Sequence, residues 1–175
     1  FVHLATGDMF RGLDRESALG QEFLKYSTQG LLVPDELTCL FWQQYVQGLI
    51  DTNQYKPDSD LLLLDGIPRS VEQIKILEEH IDVLRVIHLI CDDQEALVER
   101  MKKRADQQGR PDDADEDVIR RRFKVYHEET RPVLEYFDQS RVSEIHAIGL
   151  PGQILQKILN EIMPEAKDAI RNPFG

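Results

Sequence analysis

Four leucines, Leu61 to Leu64, run straight into Asp65 and Gly66. A buried strand that ends in a carboxylate delivers it to the crevice at the carboxyl edge of an α/β sheet, where such sheets bind ligands. From there the carboxylate reaches a divalent cation or its water shell; the plainer reading of such an Asp is a turn or helix cap. Arg69 follows four residues later. A guanidinium keeps its proton, and its planar fork binds the oxygens of an oxyanion in pairs. Arg100 and Arg104 are four apart, so on a helix they share a face. Arg120, Arg121 and Arg122 stand in a row, and the first two read as solvated charge. Gln73 offers a donor and an acceptor on one amide. It also closes the pattern Ser70-Val71-Glu72-Gln73, a capping box in which the amide satisfies a backbone N–H. The five histidines (His3, His80, His88, His127, His146) have no ligand-like spacing, and His88 and His146 read as core residues within strands. Trp42 reads as packing.

These residues hang on a strand–helix alternation. The runs 61–64, 85–90 and 144–148 are rich in apolar residues and read as buried strands of a parallel sheet covered on both faces. Phe1-Val2-His3-Leu4 is a fourth, partial run. Helices are expected over 35–50, 71–80 after Ser70, 94–108 after Asp92 or Asp93, 115–139 with a kink or split at Pro132, and 152–163 up to Pro164. The fold class is therefore α/β, a parallel sheet flanked by helices.

The 175 residues suffice for one domain with its own core. Hydrophobic residues make up 41% and charged residues 30%. A net charge of −11 argues against a broad grip on nucleic acid, yet leaves room for a local arginine cluster that binds one small anion. Cys39 and Cys91 lie in apolar stretches and are expected as buried free thiols in a reducing compartment. No apolar run approaches a membrane span, and no signal-peptide pattern opens the chain.

Read in order, five blocks carry a further message. They are Thr6-Gly7-Asp8-Met9-Phe10-Arg11, Gly30-Leu31-Leu32-Val33-Pro34-Asp35-Glu36, Asp65-Gly66-Ile67-Pro68-Arg69, Arg110-Pro111-Asp112-Asp113, and Arg120-Arg121-Arg122-Phe123 with Tyr126 and Thr130-Arg131-Pro132. In type, order and approximate spacing they resemble the adenylate kinase family of nucleoside monophosphate kinases, from His3 to about Ile148. The resemblance implies a P-loop NTPase-like fold and reversible, Mg²⁺-dependent phosphoryl transfer from ATP to AMP. It implies Arg11 and Arg69 around the monophosphate. Arg100, Arg104, Arg110 and Arg122 are implied around the transferring phosphoryl group and the triphosphate. Thr6 and Gly7 would contact the monophosphate nucleotide, Leu32 and Val33 would line the base pocket, and Gly66 would let the backbone approach. Gln73 would meet the adenine edge, since an amide matches both N6–H and N1. Asp65 would act near Mg²⁺, through water. Residues 1–175 would form one kinase domain, with a monophosphate-binding insertion over 6–57 and a short lid over 105–114. Asp112 and Asp113 would either orient lid arginines or keep the loop soluble, with Gly109 as a hinge. The lid has no Cys, so no structural zinc is expected. Partners would be small nucleotides (AMP, ATP, ADP) and neither nucleic acid nor membrane, in a monomeric, cytoplasmic enzyme. Thr6 and Gln73 argue against a pyrimidine monophosphate; the alternatives are a kinase for UMP, CMP or GMP, or a non-catalytic nucleotide-binding relative.

One family element does not occur. The phosphate-cradling G-x-x-x-x-G-K-[ST] loop is absent, because no Gly is followed by Lys. The resemblance places that strand, loop and helix before Phe1, as a unit of about 25–30 residues. The chain opens on Phe within a strand, so a longer protein with this unit upstream is expected. Without it the triphosphate site would be weak.

Overall fold

The computed structural model describes residues 1–109 and 115–169. Strand β1 (Val2–Ala5) pairs in parallel with β2 (Leu62–Asp65), which sets Ala5 opposite Asp65. Strand β3 (Val86–Ile90) pairs in parallel with β4 (Val142–His146), which sets Ile90 opposite His146. Among the described residues the strands thus form two parallel pairs. The expected strands are all present, but they are not covered on both faces. Leu63 is 38% exposed and Leu89 50% exposed. An apolar run therefore located each strand without showing how far it is covered.

Three helices connect β1 to β2: α1 (Thr6–Arg11), α2 (Ala18–Ser27) and α3 (Asp35–Asp51). The first two carry no apolar period long enough to be read from the sequence. α4 (Val71–Leu77) follows β2, capped by Ser70 as expected, and ends three residues earlier than its pattern suggested. α5 (Gln94–Gln108) has the expected bounds. Asp93 rather than Asp92 caps it, accepting from the Ala96 N–H at 2.9 Å. Gly109 ends it in the left-handed conformation, φ 60°, a role Gly fills without strain. Ala105 to Gln108 are thus helical rather than part of a lid loop.

The stretch around Pro132 resolves into α6 (Glu116–Val125), one π turn over Tyr126–Thr130, and α7 (Arg131–Tyr136). A proline ring collides with the carbonyl four residues back. The wider π turn, in which the Arg131 N–H reaches the Tyr126 carbonyl, accommodates it without ending the helix. The last helix, α8 (Pro151–Ala169), runs through Pro164 instead of stopping there.

The main core joins β1, α1, α3 and α4 through Leu4, Met9, Cys39, Trp42, Val46, Ile67 and Leu77. Trp42 is 2% exposed, so it packs as expected, with its indole N–H left unpartnered. Two burial expectations fail. Cys91 is only half-buried, and His146 is exposed at the end of β4. His88 is held as expected, its ring nitrogens 2.6 Å from the Tyr126 hydroxyl and 3.3 Å from Glu144.

Candidate functional site

A cleft of about 1340 Å³ opens at the carboxyl ends of all four strands. Ala5, Asp65, Ile90 and His146, the last residues of β1 to β4, all line it. This is where a parallel sheet leaves room for a ligand between its strand ends.

Arg69 forms part of the floor. Burial is the first cause that holds its guanidinium below the usual arginine range. Repulsion from Arg122 and Arg11 adds to it, while Asp65 opposes it. Arginine does not deprotonate in practice, so the shift marks a repulsion: Arg69 is half-buried, with Arg122 and Arg11 near enough to oppose its charge. An anion entering the cleft relieves it.

Each of these cations is placed by its local chain. Arg69 lies in the turn between β2 and α4, entered through the cis bond Ile67–Pro68. Gly66 has φ +80°, and a Cβ there would stand 3.1 Å from Thr6 Oγ1 and 3.4 Å from an Arg69 nitrogen. Only glycine fits that junction. Thr6 is buried and its hydroxyl donates to the Asp65 carbonyl at 2.8 Å, which ties the end of β1 to the end of β2. Arg11, one α-helical turn after Gly7, folds back over it and pairs with Asp8 at 2.6 Å. Arg122 comes from α6, and a Cβ at Gly30 would stand 3.1 Å from its Cγ. Gly30 itself has φ +70°, and its missing side chain lets the loop after α2 approach the Val118 carbonyl. Arg100 and Arg104 line the same cleft from one face of α5.

The structure therefore gathers Thr6, Gly7, Arg11, Leu32, Val33, Asp65, Gly66, Arg69, Gln73, Arg100, Arg104 and Arg122 around one cleft. Arg110, Asp112 and Asp113 lie outside the described residues. Arg120 stays on the surface, bridging Glu95 at 3.0 Å and Glu116 at 2.8 Å, as its solvated reading anticipated.

Gln73 makes the backbone half of the capping box, while its side chain reaches Arg69 rather than Ser70. Its backbone N–H bonds to the Ser70 hydroxyl at 3.1 Å. Its side-chain oxygen accepts from the Arg69 N–H at 2.7 Å, one residue before the cap a capping box would close on. Its Nε2 donates to Asp35 Oδ1 at 2.8 Å. From the sequence no site role is expected of Asp35, which stands in the Gly30–Glu36 block and in the acidic first turn of α3.

Asp65 stands at the end of β2, 4.0 Å from the His3 ring. Among the described residues no three acidic, His or Cys side chains group to hold a metal. Mg²⁺ keeps most of its waters and takes one or two carboxylates together with substrate phosphates. One carboxylate at the strand end fits that mode.

Fold and cleft define an α/β protein whose parallel strand ends open on a cleft lined by arginines from α1, α5, α6 and the turn before α4. Sequence comparison is more specific. The family model described as adenylate kinase matches residues 1–142. The adenylate kinase of Flavobacterium johnsoniae is 36% identical over 168 residues, 92% of this chain and 84% of the relative. That of Rhodococcus erythropolis is 39% identical over 156 residues, 84% and 77% respectively. That of Mycobacterium tuberculosis is 36% identical over 166 residues, 91% and 83%. The chain belongs to the adenylate kinase family.

Proposed function

We propose that this chain transfers the terminal phosphoryl group of ATP to AMP, reversibly, giving two ADP. The observation that carries the reading is the gathering of Arg11, Arg69, Arg100, Arg104 and Arg122 around one cleft at the carboxyl ends of parallel strands. In the reaction an oxygen of the AMP phosphate bonds to the γ-phosphorus, and the bond from that phosphorus to the bridging oxygen breaks. Both nucleotides end as ADP. The protein's share is to position two polyanions and neutralise the charge between them.

Arg11 and Arg69 are assigned to the monophosphate, with Thr6 and Gly7 beside them. Arg100, Arg104 and Arg122, with Arg110, are assigned to the moving phosphoryl group and the triphosphate. Leu32, Val33 and Gly66 form the walls of the base pocket, and Gln73 meets the base edge. Asp65 is assigned to hold water around Mg²⁺, which when bound neutralises phosphate charge. Residues 6–57, carrying α1 to α3, are read as the insertion that closes on the monophosphate. The 105–114 segment, reduced by the helical Ala105–Gln108, is read as the lid that keeps water out, with Asp112 and Asp113 in it. Among the described residues no helix is long and apolar enough to cross a membrane. We read the protein further as a cytoplasmic monomer.

The test is a coupled assay of the full-length protein with Mg²⁺ and ATP against AMP, GMP, UMP and CMP. ADP formation that depends on AMP, and exceeds that with the pyrimidine monophosphates, is the expected result. No transfer to any monophosphate would overturn the reading.

A further inference from the structure

We propose that Asp35 decides which purine the cleft accepts, by fixing which way round the Gln73 amide lies. The inference rests on the adenylate kinase reading and makes it more specific.

The Gln73 side chain is 2% exposed and lines the cleft. Its two amide atoms face partners of opposite and unalterable character. Asp35 Oδ1, 2.8 Å from Nε2, is a carboxylate oxygen and accepts. The Arg69 N–H, 2.7 Å from Oε1, is a peptide group and only donates. Turning the amide over by 180° would set oxygen against carboxylate and N–H against N–H. Two hydrogen bonds would become two repulsions in a buried place, where unmade bonds cost most. The amide is therefore held one way round.

Each amide atom still has one position to give: the second N–H of Nε2 and the second lone pair of Oε1. A 6-aminopurine shows a donor at C6 beside an acceptor at N1. A 6-oxopurine shows the reverse order, an acceptor at C6 beside an N–H at N1. An amide free to turn would satisfy either base in the same pose. A fixed amide satisfies one of them and leaves the other with two mismatched pairs. Asp35 is also the first residue of α3, directly after the loop that carries Leu32 and Val33. The same bond thus joins a wall of the base pocket to the helix that carries the reading group.

The discriminating pair of ligands is AMP and IMP, which differ at the purine 6-position and N1 alone. Their dissociation constants are to be measured calorimetrically on the full-length protein, as wild type, Asp35→Asn, Asp35→Ala and Asp35→Glu. Transfer from ATP to each nucleotide is to be followed in parallel. In the wild type AMP binds more tightly. Asn can donate or accept and Ala does neither, so both variants release the lock. The preference for AMP over IMP is expected to shrink about tenfold in each, as loss of one buried pairing choice predicts. Asp35→Glu remains acceptor-only and keeps the preference. A general loss of stability would weaken both ligands alike and leave the ratio unmoved. A wild-type ratio in Asp35→Asn or Asp35→Ala overturns the proposal. So does a wild type that binds AMP and IMP equally, even if it transfers phosphoryl to AMP. A wild type that binds neither overturns the functional reading, and this inference with it.

Discussion

Gly7 shows how closely a side chain's place depends on what its neighbour lacks. A Cβ at Gly7 would come 2.8 Å from an Arg11 guanidinium nitrogen, the far end of a flexible side chain. Gly7→Ala is therefore expected to fold normally and to displace Arg11. The KM for AMP should rise about tenfold, the worth of one charge-assisted bond, with the melting temperature unchanged. Kinetics and a thermal melt on the same sample check this. Cys39 makes a second prediction. Burial first, then Asp35 and Glu36, push its thiol up from 9.0 to about 11. The unfolded thiol loses its proton at lower pH than the folded one. Its contribution to stability is therefore full below pH 9 and is lost as pH rises towards 11. Melts across that range should fall less steeply in Cys39→Ala. In the native wild type, an alkylating reagent at pH 8 should reach half-buried Cys91 well before Cys39. At this scale the sequence already placed Asp65 and Arg69, because a strand-end acid followed by a tight turn leaves them little freedom. It missed the Gln73–Asp35 bond, which spans 38 residues and has no local pattern.

Among the elements, α5 has the bounds its pattern predicts, while the choice of Asp93 over Asp92 as its cap, the helical state of Ala105–Gln108 and the role of Gly109 as its left-handed end come from the structure. α1 and α2 were not legible in the sequence. They are short, and α2 is fixed by contacts with the loop before it rather than by its own period. Ser17 caps α2 by accepting from the Gly20 N–H at 3.0 Å, while its hydroxyl donates to the Asp14 carbonyl at 2.6 Å. That fold-back presses Gly20 against the loop so closely that a Cβ would stand 2.1 Å from the Asp14 carbonyl oxygen. The obstacle is backbone and cannot swing aside. Gly20→Ala is expected to destabilise the protein by about 1–3 kcal/mol, the cost of overpacking, despite adding a better helix former. Chemical denaturation of the two proteins compares them directly. Pro132 and Pro164 mark the other limit of sequence reading: a π turn absorbs the first, and α8 continues past the second. Proline marks a position where a helix must change, without saying how.

For the molecule as a whole, the strand–helix alternation specified a parallel α/β architecture, since parallel strands require helical crossovers. It did not specify that the strands pair two and two, because apolar runs carry no information about which edge meets which. Nor does a net charge of −11 disclose a cleft whose arginines crowd one another. That crowding gives ionic strength two opposite signs in one protein. Screening relieves the repulsion that Arg69 receives from Arg122 and Arg11, so added sodium chloride should raise the melting temperature of the ligand-free form while it weakens AMP binding. Sulfate at matched ionic strength, which binds as well as screens, should raise it further. Arg69→Gln should lose that extra rise and keep the part that chloride supplies. Without a nucleotide, then, the dissolved anions of the cell become part of the protein's own stability.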